Sequence, residues 1–216
     1  MILMIKADEQ LIDKIINAID WDEVYNPDRM FSEDDISSIT EFLPKEIGVS
    51  TGASKCVLIP KLNNFVIKLP FLYCSIGDEM VELQNAPFCG NDYCYAEWEY
   101  YTLAKDANIE MFFPETIQYC TYPYHIYLQE KCISEATLPF HPLSKENKEF
   151  IDSLPILDNF SYQWVYECYK WYGLEALYKL HHFLKDNNIS DFHGDNYGYR
   201  RSDNSPVLID FSGFNY

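Results

Sequence analysis

Hydrophobic positions change period several times along this chain, and each change marks an element. Over residues 8–19, Leu11, Ile12, Ile15, Ile16 and Ile19 recur at helical spacing, which predicts an amphipathic helix. Ser32 precedes Glu33, Asp34 and Asp35, the arrangement of an N-cap before an acidic first turn. Residues 1–43 therefore read as a helical extension, separate from the rest of the chain. After Pro44 the pattern turns to short β-type runs: Cys56–Ile59, a polar Lys61–Asn64 turn, then Phe65–Leu69. That sequence predicts a hairpin. Residues 92–107 read as an amphipathic helix and His125–Ile133 as a further strand. From Ser161 to about Asn187 a long helix places Val165, Cys168, Tyr169, Tyr172, Leu177, Leu180 and Leu184 mostly on one side. It runs out at Asp186-Asn187-Asn188, just before Asp191. No internal repeat and no low-complexity linker breaks this order.

Composition narrows the class. The chain has 216 residues, 48% hydrophobic and 17% aromatic, enough to bury a core and too apolar for disorder despite a net charge of −18. A pI near 4.5 argues against non-specific nucleic-acid binding. It leaves room for a nucleotide if Mg²⁺ and a few placed cations offset the charge locally. Strong acidity has another use, imitation of DNA by a decoy for a basic partner, which predicts carboxylates spread over the surface and no organised metal site. No apolar run approaches the roughly 18 residues of a membrane span. The start turns acidic at Asp8 and Glu9 and lacks the basic and apolar regions of a signal peptide. Seven cysteines stand at 56, 74, 89, 94, 120, 132 and 168 without a Cys-x-x-Cys pair. Reduced thiols in a cytoplasmic protein are expected, not a disulfide or zinc framework. Cys89-Gly90-Asn91-Asp92-Tyr93-Cys94 fits no common zinc spacing.

The candidate chemistry lies near the C-terminal end. Asp191-Phe192-His193-Gly194-Asp195-Asn196 is followed, fourteen residues after Asn196, by Asp210 in Leu208-Ile209-Asp210-Phe211-Ser212-Gly213. Phosphoryl transfer needs such a set: a carboxylate to accept the proton of the attacking hydroxyl, and hard oxygen donors for Mg²⁺. Asp and Asn also cap turns. Turn chemistry alone, however, sets no fixed spacing between two separate loops.

In that order of elements and motifs the chain resembles the protein kinase-like superfamily, and its loop is similar to the Asp-x-His-x-x-Asn loop of the aminoglycoside phosphotransferase type. Small kinase-like proteins of this kind also occur in phages, which would imply a host cytoplasm. The resemblance covers roughly residues 45–216. It implies an α+β, two-lobed kinase-like fold with domains at 1–43 (extension), 44–132 (N-lobe) and 133–216 (reduced C-lobe). It also implies ATP and Mg²⁺ as ligands, Asp191 as base, and Asn196 and Asp210 on the metal. Ser50-Thr51-Gly52-Ala53-Ser54-Lys55-Cys56-Val57 matches a Gly-rich loop at its middle glycine and its valine, so Gly52 and Ser54 are placed against phosphates. Val66-Ile67-Lys68 resembles the Val-Ala-Ile-Lys strand whose lysine contacts the α and β phosphates. Glu97 is the carboxylate expected to orient Lys68. Tyr100, Tyr101 and Ala104 follow it at helical spacing, so it borders the inward face, which Glu99 does less well. The strand at 125–133 would enter the hinge, with backbone near Glu130 and Cys132 binding adenine. His193 would support the loop or face the γ-phosphate. His181 and His182 read as C-terminal helix residues favoured by the dipole, and Arg200 and Arg201 as solvated hairpin residues.

Departures from the family shape the functional expectation. Ile189-Ser190 replaces the usual His-Arg before the catalytic Asp. The sequence ends at Tyr216 without an activation segment. The substrate platform is then expected from residues 1–43, residues 133–160 or another subunit. The leading expectation is ATP/Mg-dependent phosphotransfer to a hydroxyl of a protein or small molecule. The alternative is a pseudokinase-type binding protein that inhibits or scaffolds a partner.

Overall fold

A computed structural model describes residues 5–18, 43, 45–51, 55–70, 73–76, 79–82, 93–121, 125–138, 142–155, 160–190, 192 and 194–211. The fold is mixed α+β, and the chain divides into two compact units: residues 1–99 with 115–130, and residues 100–114 with 131–216. Ser32 and the neighbouring helix expected there lie outside the described residues. Among the described residues no helix is long and apolar enough to cross a membrane.

Unit one is built on a five-stranded antiparallel sheet. Its strands are β1 (Ile47–Thr51), β2 (Lys55–Pro60), β3 (Phe65–Pro70), β6 (Thr116–Cys120) and β7 (Ile126–Glu130), in the order β1-β2-β3-β7-β6. The expected hairpin is present: β2 and β3 flank Lys61–Asn64 and pair with Leu58 opposite Ile67 and Val57 opposite Lys68. One face carries Cys56, Leu58, Phe65, Ile67 and Leu69, all buried, as the period of two requires. A separate two-stranded ribbon pairs β4 (Tyr73–Ile76) with β5 (Glu79–Glu82), and these are the remaining strands of the unit among the described residues. Helix α1 (Glu9–Ala18) starts where Asp8 Oδ1 accepts the Leu11 N–H at 3.1 Å, a side-chain cap. Ile12 and Ile15 bury its apolar face. Ahead of it, the Ile5 N–H donates to Glu115 at 2.6 Å.

Helix α2 (Tyr93–Asp106) contributes its first turns to unit one and its last to unit two. Its end follows from Asn108, whose φ of 55° is a left-handed conformation that Asn tolerates. Ile109 N–H then reaches the Ala104 carbonyl and Asn108 N–H the Lys105 carbonyl, the paired bonds of a Schellman ending.

Unit two packs helices on a small antiparallel sheet of β8 (Cys132–Ser134), β9 (Tyr197–Arg200) and β10 (Pro206–Leu208), with β9 central. Short helix α3 (Lys145–Asp152) starts at Ser144, whose hydroxyl accepts the Asn147 N–H. The expected long helix is α4 (Tyr162–Asp186), capped by Ser161 accepting the Trp164 N–H at 3.3 Å. It is not continuous. Gly173 stands at φ 81° and ψ 170°, a region open essentially to Gly alone, so α4 is two helical segments meeting at a break. Val165, Cys168, Leu177, Leu180 and Leu184 are buried as expected, whereas Tyr169 and Tyr172 pack half-buried against the same core. Trp164 is fully buried and donates its indole N–H to the Val207 carbonyl at 3.1 Å. Asn188, with φ 54°, ends α4 as Asn108 ends α2: Ile189 N–H meets the Leu184 carbonyl and Asn188 N–H that of Lys185.

Candidate functional site

In unit one a polar stripe crosses the sheet on the face opposite the apolar one. Val57 faces Lys68, Val66 faces Gln129, and Gln129 faces Thr116. Lys55, two residues before Val57, shares its face. Four adjacent strands thus supply Lys55, Lys68, Gln129 and Thr116, all buried. They converge on Glu97 of α2, which is fully buried. Lys55 Nζ donates to Glu97 Oε1 at 2.5 Å, and Lys68 Nζ donates to Oε2 at 2.6 Å. Gln129 Nε2 donates to the same Oε2 at 3.0 Å and lies 3.3 Å from Thr116 Oγ1. A buried carboxylate is tolerable when paired and hydrogen-bonded in this way.

The structure therefore joins Lys68 to Glu97 and leaves Glu99 exposed. Lys55 joins them too. Its sequence neighbours suggest a phosphate loop, whereas it stands at the head of a strand. The signal is present in the turn: once Lys61–Asn64 sets the hairpin register, Lys55 and Lys68 must share a face. Gln129 also escapes the sequence pattern, although it alternates with buried Leu128. Gly52 and Ser54 lie outside the described residues.

The second cluster is in unit two. Gly194–Asn196 forms a turn of 3₁₀ helix in which Asn196 is buried. Asn196 also accepts, through its backbone carbonyl, the Ile209 N–H at 2.8 Å. This bond sets the Asn196 turn beside the segment leading to half-buried Asp210. Aromatic neighbours hold both segments. Phe192 stacks on Phe160 with ring centres 4.0 Å apart, and buried Phe211 lies 4.8 Å from Phe113. Asp191 and His193 lie outside the described residues. A carboxamide and a carboxylate are hard oxygen donors of the kind Mg²⁺ takes. Among the described residues no three His, Cys, Asp or Glu side chains gather as metal ligands.

Other sequence candidates fall elsewhere. Glu130 ends β7, with its N–H donating to the Glu115 carbonyl at 2.8 Å. Cys132 is half-buried in β8, opposite Arg200. Arg200 is not solvated as expected: its guanidinium donates to the carbonyls of Met111 at 2.7 Å and Phe113 at 2.5 Å. Its five donors let it serve both carbonyls at once, and the Tyr172 hydroxyl also donates to that of Met111 at 3.0 Å. Arg201 is exposed. His181 and His182 lie in the last turns of α4 with ring centres 5.5 Å apart. No family model matches the chain, and no curated protein matches it in sequence.

Proposed function

We propose that the chain is a kinase-like phosphotransferase that uses ATP with Mg²⁺ to phosphorylate a hydroxyl. The buried Lys68–Glu97 pair carries the reading. A lysine fixed by a carboxylate from a following helix is held as a point charge, which is what a phosphate-binding lysine requires. Lys55, bonded to the other oxygen of Glu97, adds a second ammonium to the same construction. The hydrogen bond from Ile209 to Asn196 lends support, because it brings together the two segments whose side chains would hold the metal.

In this reading Lys68 binds phosphate oxygens, with Lys55 beside it. Asn196 and Asp210 would hold Mg²⁺, which would neutralise charge on the phosphates. Asp191 takes the proton from the acceptor hydroxyl as its oxygen bonds to the γ-phosphorus. The bond from that phosphorus to the β-phosphate oxygen breaks, and ADP leaves.

The test is Mg-dependent ADP release by the full chain and by Asp191→Asn. Loss of about 10²-fold or more in turnover, with ATP binding retained, is expected for removal of a general base. Equal turnover in both proteins would remove Asp191 from the chemistry. Binding without turnover in the unaltered chain would assign a binding role.

A further inference from the structure

Unit two contains a cavity of about 720 Å³, within the range of roughly 300–1,000 Å³ usual for small-ligand sites. Its wall carries three carboxylates, Glu135, Glu167 and Asp203, and two aromatic rings, Trp171 and Tyr199. Among the described residues that line it there is no Lys, Arg or His. Half-buried Gln163 lines it too: its Nε2 donates to Glu167 at 3.4 Å, and its Oε1 has no hydrogen-bond partner. A buried acceptor without a donor is costly, so this oxygen calls for an N–H or O–H from a ligand.

The described charges that line the cavity are negative, and one of them, Glu167, is also paired with exposed Lys170 at 3.3 Å. Burial raises the pKa of Glu135, against the lowering effect of the Ser161 hydroxyl that donates to it at 3.3 Å. Burial also raises the Tyr199 hydroxyl, and Glu135 and Glu167 push it further in the same direction. The charge effect of Glu135 and Glu167 on Tyr199, rather than the burial, marks a wall that favours positive charge. A bare metal ion is a poor match, because aromatic rings form part of the wall and the described carboxylates do not gather as a ligand set. Trp171, 48% exposed, offers instead a face on which an organic cation can lie.

We infer that this cavity binds a small organic polycation of the alkyl polyamine type. Its ammonium groups pair with Glu135 and Glu167, one N–H satisfies Gln163, and its chain lies along Trp171 and Tyr199. Gly194 borders the cavity, so the ligand would sit beside the Gly194–Asn196 turn. The inference does not need phosphotransfer, because binding is read without nucleotide.

The experiment is calorimetric titration of the full chain with spermidine near physiological salt, which screens loose attraction to a protein of net charge −18. Glu135→Gln/Glu167→Gln is compared with Glu146→Gln/Glu149→Gln, an equal charge change on exposed residues of α3. Single-site binding is expected, weakened about tenfold or more by the first pair and less than about twofold by the second. Equal losses, no loss from the first pair, or no binding by the unaltered chain would overturn the inference. Should the first pair fail to fold, the exposed Trp171→Ala decides: binding weakened several-fold supports the site, and unchanged binding overturns it.

Discussion

Lys55 and Lys68 share one carboxylate: their ammonium nitrogens lie 2.5 and 2.6 Å from the two oxygens of Glu97. Glu97 thereby holds three side-chain donors at once, Lys55, Lys68 and Gln129. Removing the carboxylate in Glu97→Ala leaves two buried ammoniums short of a partner, a change that costs roughly 3–5 kcal/mol. Lys55→Met keeps Lys68 and Gln129 on Glu97 and should cost less, about 1–3 kcal/mol. Urea denaturation of the two variants checks the order. Equal midpoints for Glu97→Ala and the unaltered chain would contradict the pairing.

Gly173 separates two views of α4. Were the helix continuous, Gly173→Ala would stabilise by about 1 kcal/mol through helix propensity. With φ at 81° and ψ at 170°, alanine is instead strained, and a loss of about 1–3 kcal/mol is expected. The sign of the change in denaturation midpoint decides between them.

Arg200 ties β9 to the carbonyls of Met111 and Phe113. Arg200→Ala should destabilise by roughly 2–4 kcal/mol, because the carbonyls it serves lose charged donors. Arg201→Ala, at an exposed position, should fall within about 0.5 kcal/mol of the unaltered chain. Similar small effects for both would contradict the anchor.

Cys56 is buried in β2, and burial pushes its thiol from 9.0 up to about 12. Because the folded value lies above the unfolded one, the group's contribution to stability is complete below pH 9 and is lost as pH rises through 12. At pH 9 iodoacetamide should modify Cys56 last, because burial suppresses its reactive thiolate, whereas half-buried Cys120 and Cys132 are open to the reagent. Peptide mapping over time reads the order. Early modification of Cys56 in the folded chain would refute the burial argument.

Much of this was legible from residue patterns. The β2–β3 hairpin came from two apolar runs around a polar turn, and the start of α4 from Ser161. Glu97 was separable from Glu99 because the residues one turn later favoured its side of the helix. What escaped depends on long-range partners. Arg200 looks like any hairpin arginine until Met111 and Phe113 are brought to it. Lys55 required a strand register. The Gly173 break was hidden because an isolated glycine inside a helical pattern is usually tolerated at a cost of about 1 kcal/mol. Short elements such as β1, β4, β5 and α3 carry too few periodic positions to stand out.

The most direct test of the proposed phosphotransferase is thermal unfolding with and without ATP and Mg²⁺, for the unaltered chain, Lys68→Met and Asp210→Ala. Ligand at about 100 times its dissociation constant adds about 2.7 kcal/mol, a rise of roughly 5–10 °C for a chain of this size. The account predicts a Mg-dependent rise of that order in the unaltered chain, lost in Asp210→Ala and reduced in Lys68→Met. No rise in the unaltered chain, or an undiminished rise in both variants, would contradict it.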